Sequence, residues 1–364
     1  SSVTDEAELW LSFQVATTFG LDKSTLEDRH QWVSDNTELI TKVATDPIRY
    51  LSEWEAVDEP WQFMAACHES YHCCIKKDKT TTGLMVAVDA TCSGLQILAG
   101  LAKDRSTAEL VNVVPNSKPS DAYKAVADKA KEFLPSYMHH WMDRSVCKRT
   151  VMTIPYNATK DSSRKYIREA LLEKKIDPTK DELTQIVNAV YQSMDSIVPG
   201  PMQVMRWIKK HVGLYIRNGA KEVQWVTPSG FIVNQRRDDI ETMRMELQLL
   251  GRTQIRLPTG KFTPSPTKHK SSTAPNYIHS FDASILHRSF TKFDEPFTVI
   301  HDSVLCRAGD MGTLKALVRE TYTNIFSEEC WLSKFAETIN ASEPPPIVGT
   351  LDPKVVSNST YFFC

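Results

Sequence analysis

The sequence LMVAVDATCSG, residues 84–94, runs from five apolar residues into a single carboxylate, Asp89, and then into small residues. A second stretch, FTVIHDS at residues 297–303, repeats this arrangement, with a short apolar run ahead of Asp302. Short apolar runs of this kind predict buried strands, so each aspartate is expected at the rim of a strand. Because a carboxylate held at such a rim needs a cation, both positions are candidate metal ligands.

Between the two aspartates, Arg144, Lys148, Met152 and Tyr156 recur at four-residue steps. Residues four apart lie on one face of a helix, so this series would line one side of a groove. The ordinary explanations are a turn residue for each aspartate and a solvated face for the Arg/Lys stripe. The order of the segments, strand with Asp, cationic helix and hairpin with Asp, favours a phosphoryl-transfer site, in which two carboxylates hold a pair of magnesium ions.

These three segments resemble motifs A, B and C of the single-subunit, phage-type DNA-dependent RNA polymerases, a family that includes the mitochondrial enzymes. STAPNYIHS at residues 272–280 resembles the segment ahead of motif C, WVTPSGF at residues 225–231 resembles a fingers hairpin, and residues 361–363 form an aromatic end, YFF. The similarity extends from about Glu8 to Cys364. It implies an α+β, helix-rich fold, with a right-hand palm and fingers and a small antiparallel palm sheet.

The resemblance also implies a division of the chain and a set of metal ligands. Residues 1–100 would form the palm entry with motif A, residues 101–270 the fingers with motif B, and residues 271–364 the palm with motif C and the tail. Asp89 and Asp302 would bind two Mg²⁺ ions, and the backbone carbonyl of Ala90 would be a third protein ligand.

Nucleotide-binding residues follow from the same resemblance. Lys148 and the two aspartates would be the catalytic residues. Lys148 would bind the incoming triphosphate. Arg144 would help neutralise the same phosphates, because a guanidinium can bind phosphate bidentately, and Arg149 on the adjoining helix face is a further candidate. Tyr156 would close the sugar pocket and read the ribose 2′-hydroxyl, with His279 as a second sugar-reading residue.

Motif B departs from the family pattern, which usually has glycine after the tyrosine. This chain reads Pro155-Tyr156-Asn157. Proline cannot continue a helix without losing a hydrogen bond, so the helix is expected to kink or end near Ile154. Asparagine tolerates a positive φ and can replace the glycine. The departure leaves open how strictly Tyr156 rejects deoxynucleotides.

Two other functions compete. A DNA polymerase of the bacterial repair type shares the palm, but its motif B has an aromatic where Met152 stands, and its motif A has a tyrosine and then a glutamate that blocks the ribose 2′-hydroxyl. The small residues at 90–94 leave room for that hydroxyl, which favours ribonucleotides. A non-catalytic nucleic-acid-binding subunit that retains the fold is the other alternative, and the intact aspartate pair argues against it.

The composition is compatible with a polymerase but would not by itself have indicated this function. The net charge of −2 is low for a nucleic-acid enzyme, so phosphate binding is expected from local basic clusters. The eight cysteines lack a Cys-x-x-Cys pair, which predicts free thiols in a reducing cytoplasm and neither a zinc ribbon nor a disulfide framework. No stretch has the pattern of a membrane span. The basic clusters are residues 144–149, 209–211, 236–237 and 268–270.

Other patterns predict the surrounding elements. Predicted helices cover residues 24–45, 61–74, 122–133, 181–194, 202–212, 280–293 and 311–326. Paired strands are predicted at 222–236, turning at 228–230, and at 243–257. Residues 264–274 read as a polar loop. The tail from Pro344 lacks periodicity, and its end would either pack on the palm, with the Cys364 carboxylate near the site, or fray.

The implied partners are a DNA template, an RNA product, ribonucleoside triphosphates and no membrane. A complete family member is more than twice as long, with an N-terminal domain, a thumb and a first palm segment that have no counterpart here. A fragment and a split enzyme both explain this, and the split enzyme is preferred, because a second polypeptide would cover the palm edge.

Overall fold

The computed structural model describes residues 2–248, 251 and 253–363. Helices dominate this part of the chain. The α-helices are α1 Asp5–Phe19, α2 Leu26–Asp35, α3 Thr37–Thr45, α4 Leu51–Trp54, α5 Pro60–Ser70, α6 Ser93–Ala102, α7 Arg105–Leu110, α8 Ala122–Lys131, α9 Arg144–Thr153, α10 Lys160–Glu173, α11 Lys180–Ile197, α12 Pro199–Arg217, α13 Pro266–Phe290, α14 Met311–Glu328 and α15 Trp331–Thr338. The strands are β1 Met85–Val88, β2 Val223–Val226, β3 Ile232–Gln235, β4 Asp238–Leu247, β5 Thr253–Pro264, β6 Phe297–Ile300 and β7 Ser303–Arg307.

The central sheet is small and antiparallel, in the order β1-β7-β6. Val88 at the end of β1 pairs with Val304 in β7, and Ile300 at the end of β6 pairs with Ser303. The connection between β6 and β7 is therefore only His301 and Asp302. Two further hairpins, β2-β3 and β4-β5, lie elsewhere in the chain. A helix-rich α+β fold with a small antiparallel sheet is confirmed.

Helix α6 lies at the centre of the larger core. Its sequence is apolar on every side, which is typical of a fully buried helix, and the nine residues from Gly94 to Ala102 are buried. It packs against α12 and α13. The buried Gln96 amide donates hydrogen bonds to the carbonyls of Val111 and Phe362, each at 2.9 Å. A smaller apolar cluster joins α1, α3 and α5.

The aromatic end of the chain packs beneath the central sheet. Tyr361, Phe362 and Phe363 are 3–4% exposed. Thr91 donates a hydrogen bond to the Tyr361 carbonyl at 2.7 Å, and the backbone of Ala90 bridges to Phe363. The aromatic end therefore packs on the sheet and does not fray. The predicted position of the Cys364 carboxylate lies outside the described residues.

Most predicted elements are confirmed, with differences at their ends. The predicted polar loop at 264–274 is wrong, because the Ser265 side chain accepts a hydrogen bond from the Lys268 amide and starts α13 at Pro266. The helix predicted at 202–212 begins earlier, because Pro199 is the first residue of α12, a position where its missing N–H costs nothing. The helix predicted at 122–133 ends earlier, since α8 ends at Lys131 and Phe133 is 43% exposed.

The state of the cysteines agrees with the prediction of free thiols. The seven cysteines within the described residues are free thiols. Among the same residues, the structure contains no helix with the length and hydrophobicity needed to cross a membrane.

We expect Phe362→Ala to lower the free energy of unfolding by about 3–5 kcal/mol, because it would leave a cavity next to Tyr322, whose ring centroid lies 5.0 Å away. Phe133→Ala is the control, since this side chain is 43% exposed. Urea unfolding of both variants measures the difference. A loss for Phe362→Ala as small as that of the control would mean that the aromatic end contributes little to the fold.

Candidate active site

The register of the central sheet brings Asp89 and Asp302 together across 213 positions of sequence. Asp89 follows Val88 directly, and Val88 pairs with Val304, so Asp89 lies beside the turn that carries Asp302. The Ser303 hydroxyl donates to the Val88 carbonyl at 3.4 Å across the same end of the sheet. His301 takes a φ of +57°, which closes the two-residue turn. The two candidate metal ligands therefore share one rim of the sheet.

Asp89 has the electrostatics of a carboxylate prepared for a cation. Its surface is exposed, but desolvation by the surrounding protein atoms, followed by the negative charge of Asp302, raises its pKa to about 6. The Ala90 amide donates to Asp89 Oδ1 at 2.8 Å, and the ammonium of Lys23 opposes the rise. A cation between the two carboxylates would remove their repulsion.

Magnesium fits this donor set. Mg²⁺ is commonly held by one or two carboxylates together with substrate phosphates and water, without a complete protein cage. Within the described residues no group of three or more His, Cys, Asp or Glu side chains forms such a cage. Asp89 and Asp302, with the carbonyl of Ala90, would therefore be the protein ligands, and substrate oxygens would complete the coordination.

Tyr156 and His279, predicted as the sugar-reading pair, stack on each other. Their ring centroids are 4.4 Å apart and the planes are inclined by 25°. Gly94 allows this packing, because a Cβ at that position would lie 2.9 Å from Pro155 and 3.2 Å from the Tyr156 ring. Burial lowers the pKa of His279 below that of an ordinary histidine, although the negative charge of Asp302 opposes this shift.

The end of motif B adopts the predicted geometry. Helix α9 ends at Thr153, and a 3₁₀ turn continues through Tyr156. Asn157 has a φ of +66°, the left-handed conformation expected in place of a glycine, and its side chain donates to the Ser271 carbonyl at 2.8 Å. Proline and asparagine together therefore end the helix and turn the tyrosine toward α13.

Three cations on α9 differ in their surroundings. Arg144 Nε donates to Asp121 Oδ2 at 2.8 Å, while its buried Nη2 lacks a hydrogen-bond partner among the described residues. Lys148 is exposed and makes no salt bridge with any described residue. Arg149 pairs with Glu169 at 2.9 Å, so its contacts lie on α10 and not with the predicted site.

The structure adds Asp282, which the sequence analysis missed. It lies three residues after His279 on α13, and its side chain is 14% exposed. The Tyr156 hydroxyl donates to Asp282 Oδ2 at 3.2 Å. Burial, then the charge of Asp302, raises its pKa to about 7. The i, i+3 spacing from His279 was the available signal, since it places both residues on one helix face.

Lys23 is the second residue that sequence reasoning missed. It lies between α1 and α2, far from the motifs in sequence, yet its charge acts on Asp89. It also lines a small cleft with Thr91 and Asp121. No local pattern at residue 23 indicates this position, because only the tertiary fold brings the loop to the site.

Three of the basic clusters predicted for phosphate binding, at residues 209–211, 236–237 and 268–270, each contain a cation in a salt bridge. Lys210 pairs with Glu343 at 2.5 Å, Arg236 with Asp238 at 2.8 Å, and Lys268 with Asp239 at 3.0 Å. His211 and His269 are buried. These salt bridges reduce the positive charge that the three clusters offer to phosphate.

A helix-rich α+β chain whose small antiparallel sheet carries two carboxylates at one rim has the architecture of a polymerase palm and fingers. Residues 2–344 match the family described as DNA-dependent RNA polymerase. The chain belongs to this family, which favours the RNA polymerase interpretation over the repair-type DNA polymerase.

Similarity to individual proteins is low but extends over nearly the whole chain. The mitochondrial DNA-directed RNA polymerase of Mus musculus is 27% identical over 97% of this chain, and T7 RNA polymerase of Escherichia phage T7 is 26% identical over 98%. The DNA-directed RNA polymerase of Pseudomonas phage phiKMV is 25% identical over 98%. The aligned parts cover 33%, 48% and 47% of those proteins, so the chain spans half of their length or less.

Asp282 predicts a pH-dependent stability in the metal-free protein. Its pKa is about 7 in the folded chain and 3.8 for an ordinary aspartate, so ionisation costs the folded state more than the unfolded state. The stability that neutral Asp282 provides is complete below about pH 4 and is lost as the pH rises through about 7. Asp282→Asn should therefore gain on the order of 3 kcal/mol relative to the native protein between about pH 4 and pH 8.

Urea unfolding in the presence of a chelator, repeated across that pH range, measures this gain. Asp161→Asn is the control, since the Asp161 side chain is 90% exposed. A difference between Asp282→Asn and the native protein that stays constant with pH would contradict the assignment.

Proposed function

We propose that this chain carries the catalytic centre for DNA-templated RNA synthesis, in which the 3′ hydroxyl of an RNA attacks a ribonucleoside triphosphate and pyrophosphate leaves. The observation that carries the proposal is that Asp302 lines one cavity with Asp282, whose carboxylate accepts a hydrogen bond from the Tyr156 hydroxyl. The proposed sites for phosphoryl transfer and for sugar recognition would thus adjoin each other. The substrates would be a DNA template, the growing RNA and ribonucleoside triphosphates.

The two carboxylates would hold a pair of Mg²⁺ ions, which supply electrostatic stabilisation to the reacting phosphate when bound. The protein side chains would position the substrate around them. Lys148 is exposed on α9 and available for the triphosphate. Arg144 is held in place by Asp121 and keeps Nη2 without a partner among the described residues, which suits a phosphate oxygen. Lys23 offers a further positive charge near Asp89.

Ribose would be selected at Tyr156. The ring packs over His279 and against Gly94, so these two contacts fix the position of the phenol in the proposed sugar pocket. Its hydroxyl and the imidazole of His279 offer polar groups to a 2′-hydroxyl, which both donates and accepts. The glutamate that blocks this hydroxyl in repair-type DNA polymerases has no equivalent at residues 90–94.

A second polypeptide that supplies an N-terminal domain, a thumb and a first palm segment is a further proposed partner, which the resemblance to the family suggested. The similarity to known RNA polymerases does not indicate such a partner. The native mass of the protein isolated from its source tests it, since a stoichiometric second chain is required.

Primer extension tests the catalytic proposal directly. With the full polypeptide, an RNA primer on a DNA template and Mg²⁺, we expect Asp302→Asn to slow extension at least about a thousandfold, because the carboxylate charge is lost without a change of shape. Lys148→Ala should slow it about a hundredfold. Lys165→Ala on α10 is the control, since this lysine pairs only loosely with Glu169, at 3.9 Å.

Retention of extension by Asp302→Asn would refute the catalytic assignment. Template binding by the native protein without extension would favour a non-catalytic nucleic-acid-binding subunit.

Tyr156→Phe isolates the role of the phenol in sugar selection. The ring and its stack on His279 remain, whereas one hydrogen bond to the sugar is lost, so the preference for ATP over dATP should fall about tenfold. The ratio of kcat/KM for the two nucleotides measures this preference. Tyr166→Phe, at a ring that lies under Arg149, is the matched control. An unchanged ratio in Tyr156→Phe would remove the role of its hydroxyl.

A further inference from the structure

We propose that Asp282 is a positioning residue for ribose selection. Its carboxylate accepts a hydrogen bond from the Tyr156 hydroxyl, so the phenol oxygen remains available as an acceptor for the sugar 2′-hydroxyl. This inference rests on the function proposed above and assigns a residue that none of the three motifs contains. It is carried by the hydrogen-bond geometry around Tyr156.

The Tyr156 hydroxyl has two neighbours. It lies 3.2 Å from Asp282 Oδ2 and 3.0 Å from Ser93 Oγ. A phenol has a single proton to donate, and an ionised carboxylate can only accept. Where Asp282 is ionised, the proton of Tyr156 is therefore directed to its Oδ2, because a charged acceptor makes a stronger hydrogen bond than a hydroxyl does.

The direction of that bond determines what the substrate meets. With its proton turned toward Asp282, the phenol oxygen presents lone pairs to the pocket, and a 2′-hydroxyl can donate to them. A deoxyribose has no such donor and leaves the oxygen unpaired, which costs binding energy in a closed site. Without Asp282, the phenol proton is free to rotate into the pocket and the acceptor is no longer held in place.

The surroundings of Asp282 support a positioning role. Its side chain is 14% exposed, and no Lys or Arg of the described residues lies within salt-bridge distance; the nearest basic group is the His279 imidazole, with Nδ1 at 3.8 Å from Oδ2. Ser93 also hydrogen-bonds to the carboxylate. A buried carboxylate whose close donors are two hydroxyl groups costs stability, so packing alone does not explain it.

The same residue connects the sugar pocket to the carboxylate rim. Asp282 lines a small cavity together with Ala90, Ser93 and Asp302, and Phe362 forms another part of the wall. A metal ligand at this place is the competing role. That role predicts a different result, because loss of a ligand impairs ribonucleotides and deoxynucleotides alike.

A double-mutant cycle on the full polypeptide tests the proposal. The kcat/KM values for ATP and dATP are measured by primer extension for the native protein, Asp282→Asn, Tyr156→Phe and the double variant. Asp282→Asn should lower the ATP/dATP ratio about tenfold, mainly by raising KM for ATP. In the Tyr156→Phe background, the same change should lower the ratio by less than about twofold, because Asp282 acts through the missing hydroxyl.

Two further variants complete the design. Asp104→Asn is the control, since Asp104 is 4% exposed and caps α7, so it also removes a buried carboxylate. Its ATP/dATP ratio should equal that of the native protein. Asp282→Glu retains a carboxylate acceptor and should recover part of the ratio lost in Asp282→Asn. Asp282→Ala has no side-chain acceptor and should lower the ratio at least as much as Asp282→Asn.

Several outcomes would overturn the inference. An unchanged ratio in Asp282→Asn, or effects of Asp282→Asn and Tyr156→Phe that multiply, would show that Asp282 does not act through the phenol. Equal losses for ATP and dATP, with a raised Mg²⁺ requirement, would assign it to the metal site instead. Absence of extension by the native protein with either nucleotide would refute the proposed function, which is a separate result.

Discussion

The pairing of β1 with β7 is the interaction on which the candidate site depends. It fixes Val88 opposite Val304 and so places Asp89 next to the two-residue turn that carries Asp302. Since the side chains of a strand alternate between faces, a shift of one residue would turn the flanking side chains away. β1 packs against α1 and β7 against α14, and the backbone of the aromatic end of the chain bonds to Ala90 and Thr91 directly after β1.

A second constraint is the concentration of negative charge around that rim. Asp89 and Asp282 both have raised pKa values, and in each case burial is the largest cause and Asp302 contributes next. In the absence of cations this arrangement costs folding free energy. Natural proteins retain such costs where a ligand relieves them, and perturbed carboxyls gather at functional sites for this reason. The cost would thus connect the stability of the fold to the binding of the proposed Mg²⁺ ions and substrate.

The end of motif B shows how local backbone chemistry determines the geometry of a pocket. Pro155 removes an amide donor, so α9 ends at Thr153, and Asn157 takes the left-handed conformation in place of a glycine. These two residues place the Tyr156 ring over His279, where Gly94 leaves the space that it needs. Although the sequence departs from the family pattern here, the tyrosine therefore still faces α13.

Much of the site was predictable from sequence, because strand ends, helical spacing and turn residues are local properties. The apolar runs ahead of Asp89 and Asp302, the cationic series on α9 and the helix end near Ile154 all depend on neighbours in the chain. The beginning of α13 was missed, because the polar residues after Ser265 resemble a loop, and the helix there is held by packing against α12. Asp282 and Lys23 were missed because their importance arises from charges that are distant in sequence.

The sequence by itself determined which chemical groups this protein brings to the candidate site and which family it belongs to, since both are contained in short motifs. Only the tertiary structure decided how those groups meet. It paired Arg149 with Glu169, left Lys148 without a salt bridge within the described residues, and set Asp282 against the Tyr156 hydroxyl. The physical reason is that hydrogen bonds and electrostatic interactions depend on distances between side chains, and those distances are set by strand register and helix packing, not by spacing along the chain.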